Sequence, residues 1–192
     1  MSEEIDRLVA LLSNFGWAVA PRAFPPDNAS ADDAGLYSWW ADSTARELLS
    51  QLPGDVRPPY LIYVGQAGAT MWPSGKKSTA TLKSRILSNH IGGNASSSTF
   101  RLTLSAILAS PLNLRVAKPG RLLMEDNRRV STWIKENLRV AITPWPDRDT
   151  LNDTECKVLK KIDPPLNIDG RPGTPFREHL TKLRCAISSA QM

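Results

Sequence analysis

The chain has 192 residues, 41% of them apolar and 22% charged, which fits one soluble globular domain with a sizeable core and excludes two ordinary ones. No apolar run reaches the roughly 18 to 20 residues that a membrane-spanning helix needs, and the first fifteen residues carry acids where an export signal carries lysine or arginine, so a cytoplasmic protein is expected. Cys156 and Cys185, the only cysteines, supply neither a disulfide framework nor a four-ligand zinc site.

In chain order, Ile5, Leu8, Val9, Leu12 and Phe15 recur at helical spacing and predict an amphipathic first helix, followed by a linker rich in Pro, Ala, Asp and Asn. Residues 35–41 (GLYSWWA) and 60–65 (YLIYVG) are rich in aromatic and β-branched side chains and read as strands. Between them, 42–52 reads as a helix stopped at Pro53-Gly54, so the two strands are neighbours joined by more than a tight turn. After a Gly, Ser and Lys loop, 81–89 and 99–108 read as helices separated by the run 92–98. A helix over 131–137, a strand over 138–143, a helix over 149–162 halted by Pro164-Pro165, and a closing helix near 175–189 complete the series. The expected fold is α+β: a small central mixed or antiparallel sheet of about three strands wrapped by helices. One domain spans 1–192, with an N-terminal helix and linker at 1–34, a core at 35–170 and a C-terminal helix at 171–192.

The net charge of +5 is unevenly spread. Residues 1–55 hold nine acids against three bases, whereas 56–124 contain nine bases and no Asp or Glu. Such an acid-free stretch creates positive potential that holds a polyanion by counterion release, and it serves equally as a solubilising surface. Within and beside it, Lys76, Lys77, Lys83 and Arg101 are the candidates for gripping phosphates, contacts that position a duplex without reading its sequence.

Strand alternation puts Tyr37 with Trp39 on one face, opposite Leu36, Ser38 and Trp40, and puts Tyr63 with Leu61, opposite Ile62 and Val64. If the strands pair, both phenols face one cleft. A phenol is a poor base in water, but beside a cation it can orient and help deprotonate an attacking water; as a strand residue it packs equally well. Arg85, at the edge of a helical face anchored by Leu82 and Ile86, can reach the same cleft with a planar charged fork suited to phosphate, or lie on the surface. His90 either accepts a proton from a tyrosine or caps its helix. In TLNDTECKVLKKI, Glu155 shares the inward stripe of Leu151, Val158, Leu159 and Ile162. A carboxylate there requires a partner, either an internal arginine or a hard cation such as Mg²⁺ or Mn²⁺. Asn167, bracketed by apolar residues after the double proline, either braces the metal or phosphate region or satisfies a turn.

The ordered set Gly-Leu-Tyr at 35–37, Tyr-Val-Gly at 63–65, helical Arg85, His90, helical Glu155 and loop Asn167 resembles the GIY-YIG nuclease superfamily over about 35–170. The resemblance implies a Tyr37–Tyr63 pair, a phosphate-stabilising Arg85, His90 as seen in some branches, Glu155 as metal ligand and Asn167 as support. It also implies DNA as substrate, a 5′-phosphate and a 3′-hydroxyl as products, and Mg²⁺ or Mn²⁺ as cofactor. Beside Glu155, the acids Asp153, Asp163 and Asp169 are further candidates for the outer shell of the ion. Leu36 and Val64 stand where the pattern has isoleucine. The 26-position step from Tyr37 to Tyr63 is longer than usual and is similar to that of the restriction enzymes of this superfamily. Cutting both strands of a symmetric site favours a homodimer. A non-catalytic nucleic-acid-binding module on the same fold and an RNA-directed nuclease are the rival readings.

Overall fold

The computed structural model describes residues 2–26, 30–53, 60–69 and 78–189. Its centre is an antiparallel sheet in the order β2-β1-β5, formed by β1 (Gly35–Ala41), β2 (Leu61–Ala67) and β5 (Leu138–Pro144). β1 is buried at every position, which explains why its sequence is apolar on both faces. Its one serine, Ser38, is fully buried and accepts a hydrogen bond from the Trp40 indole at 2.9 Å. A second sheet is the small hairpin of β3 (Val116–Lys118) and β4 (Arg121–Leu122), turned at Gly120, whose φ of 69° suits a residue without a Cβ.

Two apolar clusters flank the main sheet. On one face α1 (Ser2–Leu12) and α5 (Leu151–Ile162) bury Ile5, Leu8, Leu12, Leu151 and Val158 against Leu36, Trp40, Leu61 and Val64. The larger cluster packs Tyr37, Trp39, Ile62 and Tyr63 against α3 (Thr99–Leu108), α4 (Met124–Asn137), α6 (Pro175–Ser188) and a helical segment at Ser84–Ile91. The short α2 (Ser43–Ser50) starts at Asp42, whose carboxylate accepts from the Ala45 N–H at 2.8 Å.

Three features depart from the periodicities. A bulge shifts the register so that Trp39 faces Tyr63 while Trp40 faces Leu61. Tyr63 therefore packs in the same cluster as Ile62, and Leu61 joins the opposite one, the reverse of strict alternation. The segment expected as an α-helix over 81–89 is wound as a π-helix at Ser84–Ile91, with i→i+5 hydrogen bonds. Finally, α4 begins at Met124 rather than 131. Its first turn carries Glu125 and Asp126, as a helix N-terminus favours, but an exposed Met124 and the charged residues after it hid the apolar stripe of Val130 and Ile134.

Candidate active site

Pairing of β1 with β2 sets Tyr37 directly opposite Gly65. A Cβ built on Gly65 would lie 2.5 Å from the Tyr37 hydroxyl, so the glycine of Tyr63-Val64-Gly65 is what lets that phenol lie across the neighbouring strand. The rings of Tyr37 and Tyr63 stack with centroids 6.4 Å apart. Replacing Gly65 by alanine is expected to displace the Tyr37 hydroxyl and to lower kcat/KM for nucleic-acid cleavage about 100-fold, since a misplacement near 1 Å costs that much. Unchanged cleavage by that variant would show that the Tyr37 position does not matter.

The π-winding of Ser84–Ile91 brings Arg85 and His90 to one side. In an α-helix, residues five apart point about 140° away from each other; in i→i+5 winding they lie roughly one turn apart. His90 is 1% exposed. Its Nε2 meets the Tyr37 hydroxyl at 2.7 Å and its Nδ1 meets the hydroxyl of Ser98 at 2.9 Å. Ser98 is the N-cap of α3 and accepts the Arg101 N–H at 3.0 Å, so one hydroxyl ties the imidazole to a helix start. Burial, then the charges of Arg85 and Arg101, hold His90 well below the usual histidine value of 6.5, so it is neutral at neutral pH. Burial first, then Tyr63, pushes Tyr37 well above the usual phenol value of 10. Tyr63 is also raised by burial, opposed by its contact with the Thr99 hydroxyl at 3.4 Å.

These side chains line a cleft of about 420 Å³ together with Gln66, Ala95, Ser96, Leu102, Arg85 and Glu155. Glu155 enters from α5, which packs beside β2. Burial raises its carboxyl from 4.5 to about 7, against the lowering influence of Arg85. Neither Glu155 nor the Arg85 guanidinium has a hydrogen bond or ion pair among the described residues, and the Nε of Arg85 is a buried donor with no acceptor. A cation and a carboxylate thus share a cleft without neutralising each other directly, and both remain available to something else.

The donor set fits a hydrated hard cation rather than a closed protein cage. Among the described residues no group of three or more His, Cys, Asp or Glu could hold a metal, so Glu155 would be a single oxygen ligand, as suits Mg²⁺ completed by water and substrate phosphate. None of the three acids expected as outer helpers lines the cleft, although the charge of Asp169 is felt at Tyr63: Asp153 pairs with Lys157, Asp169 with Arg184 at 3.3 Å, and Asp163 with Arg171 and Arg177 at 2.6 and 2.7 Å.

Two expected site residues have different roles. Asn167 does not reach into the cleft: its Oδ1 accepts the Val64 N–H at 3.0 Å and its Nδ2 donates to the Val64 carbonyl at 2.7 Å. Because β2 is an edge strand, Val64 would otherwise lack a partner, and Asn167 completes its ladder between Tyr63 and Gly65. Arg101 is fully buried and cannot grip a phosphate. Its Nη1 donates to the carbonyls of His90 and Ile91 at 2.6 and 2.9 Å, and its Nη2 to the carbonyl and Oδ1 of Asn127 and to Ser131 Oγ at 2.8–3.0 Å. Lys83 is exposed at the turn entering the π-helix, 3.6 Å from Asp32, and Lys76 and Lys77 lie outside the described residues. Ser98, Thr99, Ser96 and Gln66 line the cleft without any sequence signal that singled them out.

No curated protein and no solved structure matches the chain. Among the described residues no helix is long and apolar enough to cross a membrane. The model of the GIY-YIG catalytic domain matches residues 35–186, from the first residue of β1 into α6, which takes in every element that lines the cleft. With its tyrosine-bearing strands paired and Arg85, His90 and Glu155 gathered around them, the chain belongs to the GIY-YIG nuclease superfamily.

Proposed function

We propose that this nuclease is a divalent-metal-dependent DNA endonuclease that hydrolyses a phosphodiester bond in one in-line step. The observation that carries the reading is the pair of uncommitted charges, Arg85 and Glu155, facing the hydrogen-bonded Tyr37–His90 couple across one cleft. Arg85 would hold the non-bridging oxygens of the scissile phosphate, whose negative charge grows during displacement. With the His90 Nδ1–H donating to Ser98, the Nε2 is free to accept the Tyr37 proton. A water attacking phosphorus passes its proton to the Tyr37 oxygen as the phenolic hydrogen moves to His90, and the bond to the 3′ oxygen breaks to leave a 5′-phosphate; the departing oxygen takes a proton from solvent to become the 3′-hydroxyl, and His90 returns its own to solvent. His90 is a weak base because it is buried and, to a lesser degree, because Arg85 lies near. A bound phosphate offsets that charge and raises the basicity of the ring when the substrate is in place. Glu155 would hold Mg²⁺ or Mn²⁺, which when bound supplies charge neutralisation at the departing oxygen. The long step between the two tyrosines, spanned in part by α2, supports a restriction or phage-defence setting, in which a two-fold dimer would cut both strands.

The direct test is supercoiled plasmid incubated with several divalent ions, followed by mapping of the ends. Nicked and linear products with 5′-phosphates support the reading; retention of the supercoiled form with every ion, or cleavage of RNA alone, overturns it. A second measurement concerns the cation itself. Because the Glu155 carboxyl titrates at about 7, cation binding below that pH must displace a proton. Mg²⁺ or Mn²⁺ is therefore expected to raise Tm at pH 8 and to lose most of that effect by pH 6. A shift that is independent of pH would place the cation elsewhere.

A further inference from the structure

We propose that an open groove on the outer side of the π-helix is a phosphate track for the duplex DNA that flanks the scissile bond; this rests on the DNA endonuclease reading above. The groove encloses about 830 Å³ between α4, the π-helix and the 3₁₀ turn Pro21–Ala23. Arg128, Thr132 and Lys135 follow one another at helical spacing along an exposed stripe of α4, and Arg22 faces them. No carboxylate lines the groove. Arg22 is 3.0 Å from Glu136, an exposed pair of small energetic weight. Arg128 and Lys135 have no carboxylate partner among the described residues, Arg128 being 3.8 Å from the Met124 sulfur.

Placement connects this groove to the chemistry. Arg85 and His90 line the catalytic cleft, whereas Leu87 and Ile91 of the same π-helix line the groove. The two openings therefore lie on either side of one helix, an element about 10 to 12 Å thick. In sequence, Gly92 at the groove is separated by two residues from Ala95, which lines the cleft with Ser96 and Ser98. A row of cations and a hydroxyl, open along its length and without an acid, suits a continuous phosphodiester backbone rather than a small ligand.

The test is the salt dependence of binding to linear duplex DNA by the full chain in the absence of divalent ions. The double variant Arg128→Ala and Lys135→Ala removes two exposed side chains, and its Tm should match the wild type. Its plot of log K against log salt is expected to be shallower by about 1.8, at about 0.9 for each phosphate contact, with weaker affinity at low salt and a raised KM. A charge-matched control, Lys160→Ala with Lys182→Ala on exposed faces of α5 and α6, should keep the wild-type slope. If the double variant and wild type share one slope while plasmid is still cut, the track is wrong and the endonuclease stands. An equal loss in the control, or dependence on the groove for RNA alone, also overturns it. Failure of the wild type to bind or cut DNA overturns both.

Discussion

Replacing Glu155 by glutamine is expected to abolish cleavage, with kcat falling by at least on the order of 10³-fold, while affinity for DNA stays near the wild-type value. The substitution keeps the size of the side chain and removes only the charge that would hold a cation. Arg85 and the exposed cations of the proposed phosphate track are left in place. Stability should move the other way. Burial raises the folded-state carboxyl from 4.5 to about 7, so the fold favours the protonated acid and loses stability as pH rises through that window. At pH 8 without metal, the glutamine variant should therefore be more stable by about 1 to 3 kcal/mol. Retained nicking by a clean preparation would remove Glu155 from the reaction, and a less stable variant would show that the carboxylate has a protein partner.

Arg101→Met should be the most damaging substitution for the fold. Five hydrogen bonds from one buried guanidinium hold the end of the π-helix to α4, and no carboxylate is among the acceptors. Methionine refills the volume but leaves the carbonyl of His90 and the Oδ1 of Asn127 without a donor, at about 1 to 3 kcal/mol for each buried group. A loss of about 3 kcal/mol corresponds to roughly 6 to 12 °C in Tm for a chain of this size. Cleavage should fall as well, because the carbonyl that Arg101 grips most closely belongs to His90. A phosphate-gripping surface arginine would behave oppositely, with Tm unchanged and a shallower salt dependence, so one denaturation curve separates the two roles.

The parts of the site that could be read from the chain are those in which chemistry and periodicity act on the same residue. Glu155 was legible because a charged group on an apolar stripe must have a reason, and the tyrosines because each lies in a strand closed by a glycine. The same stripe argument would have placed Arg101 inside. It precedes Leu104 and Leu108 by three and seven positions, yet the abundance of surrounding positive charge suggested an exposed role. Asn167 illustrates a different limit: its partner is the backbone of Val64, 103 positions away in sequence, and backbone partners leave no trace in side-chain pattern. The bulge opposite Trp39 and Trp40 was likewise invisible, since Ile62 is apolar and suits either face. The hairpin at Val116–Leu122 announced itself only by Pro119-Gly120.

The widened coil at Ser84–Ile91 makes this stretch far more sensitive to its length than to its composition. Swapping one aliphatic side chain for another at Leu87 alters packing by a methyl group or two. Adding or removing a single amino acid between Arg85 and His90 would swing the imidazole by roughly 70 to 80° in i→i+5 winding, enough to carry it away from the phenol to which it is hydrogen-bonded. Variation in this segment should therefore come as exchanged letters and hardly ever as gaps, and a tolerated indel there would mark a chain that had stopped cutting.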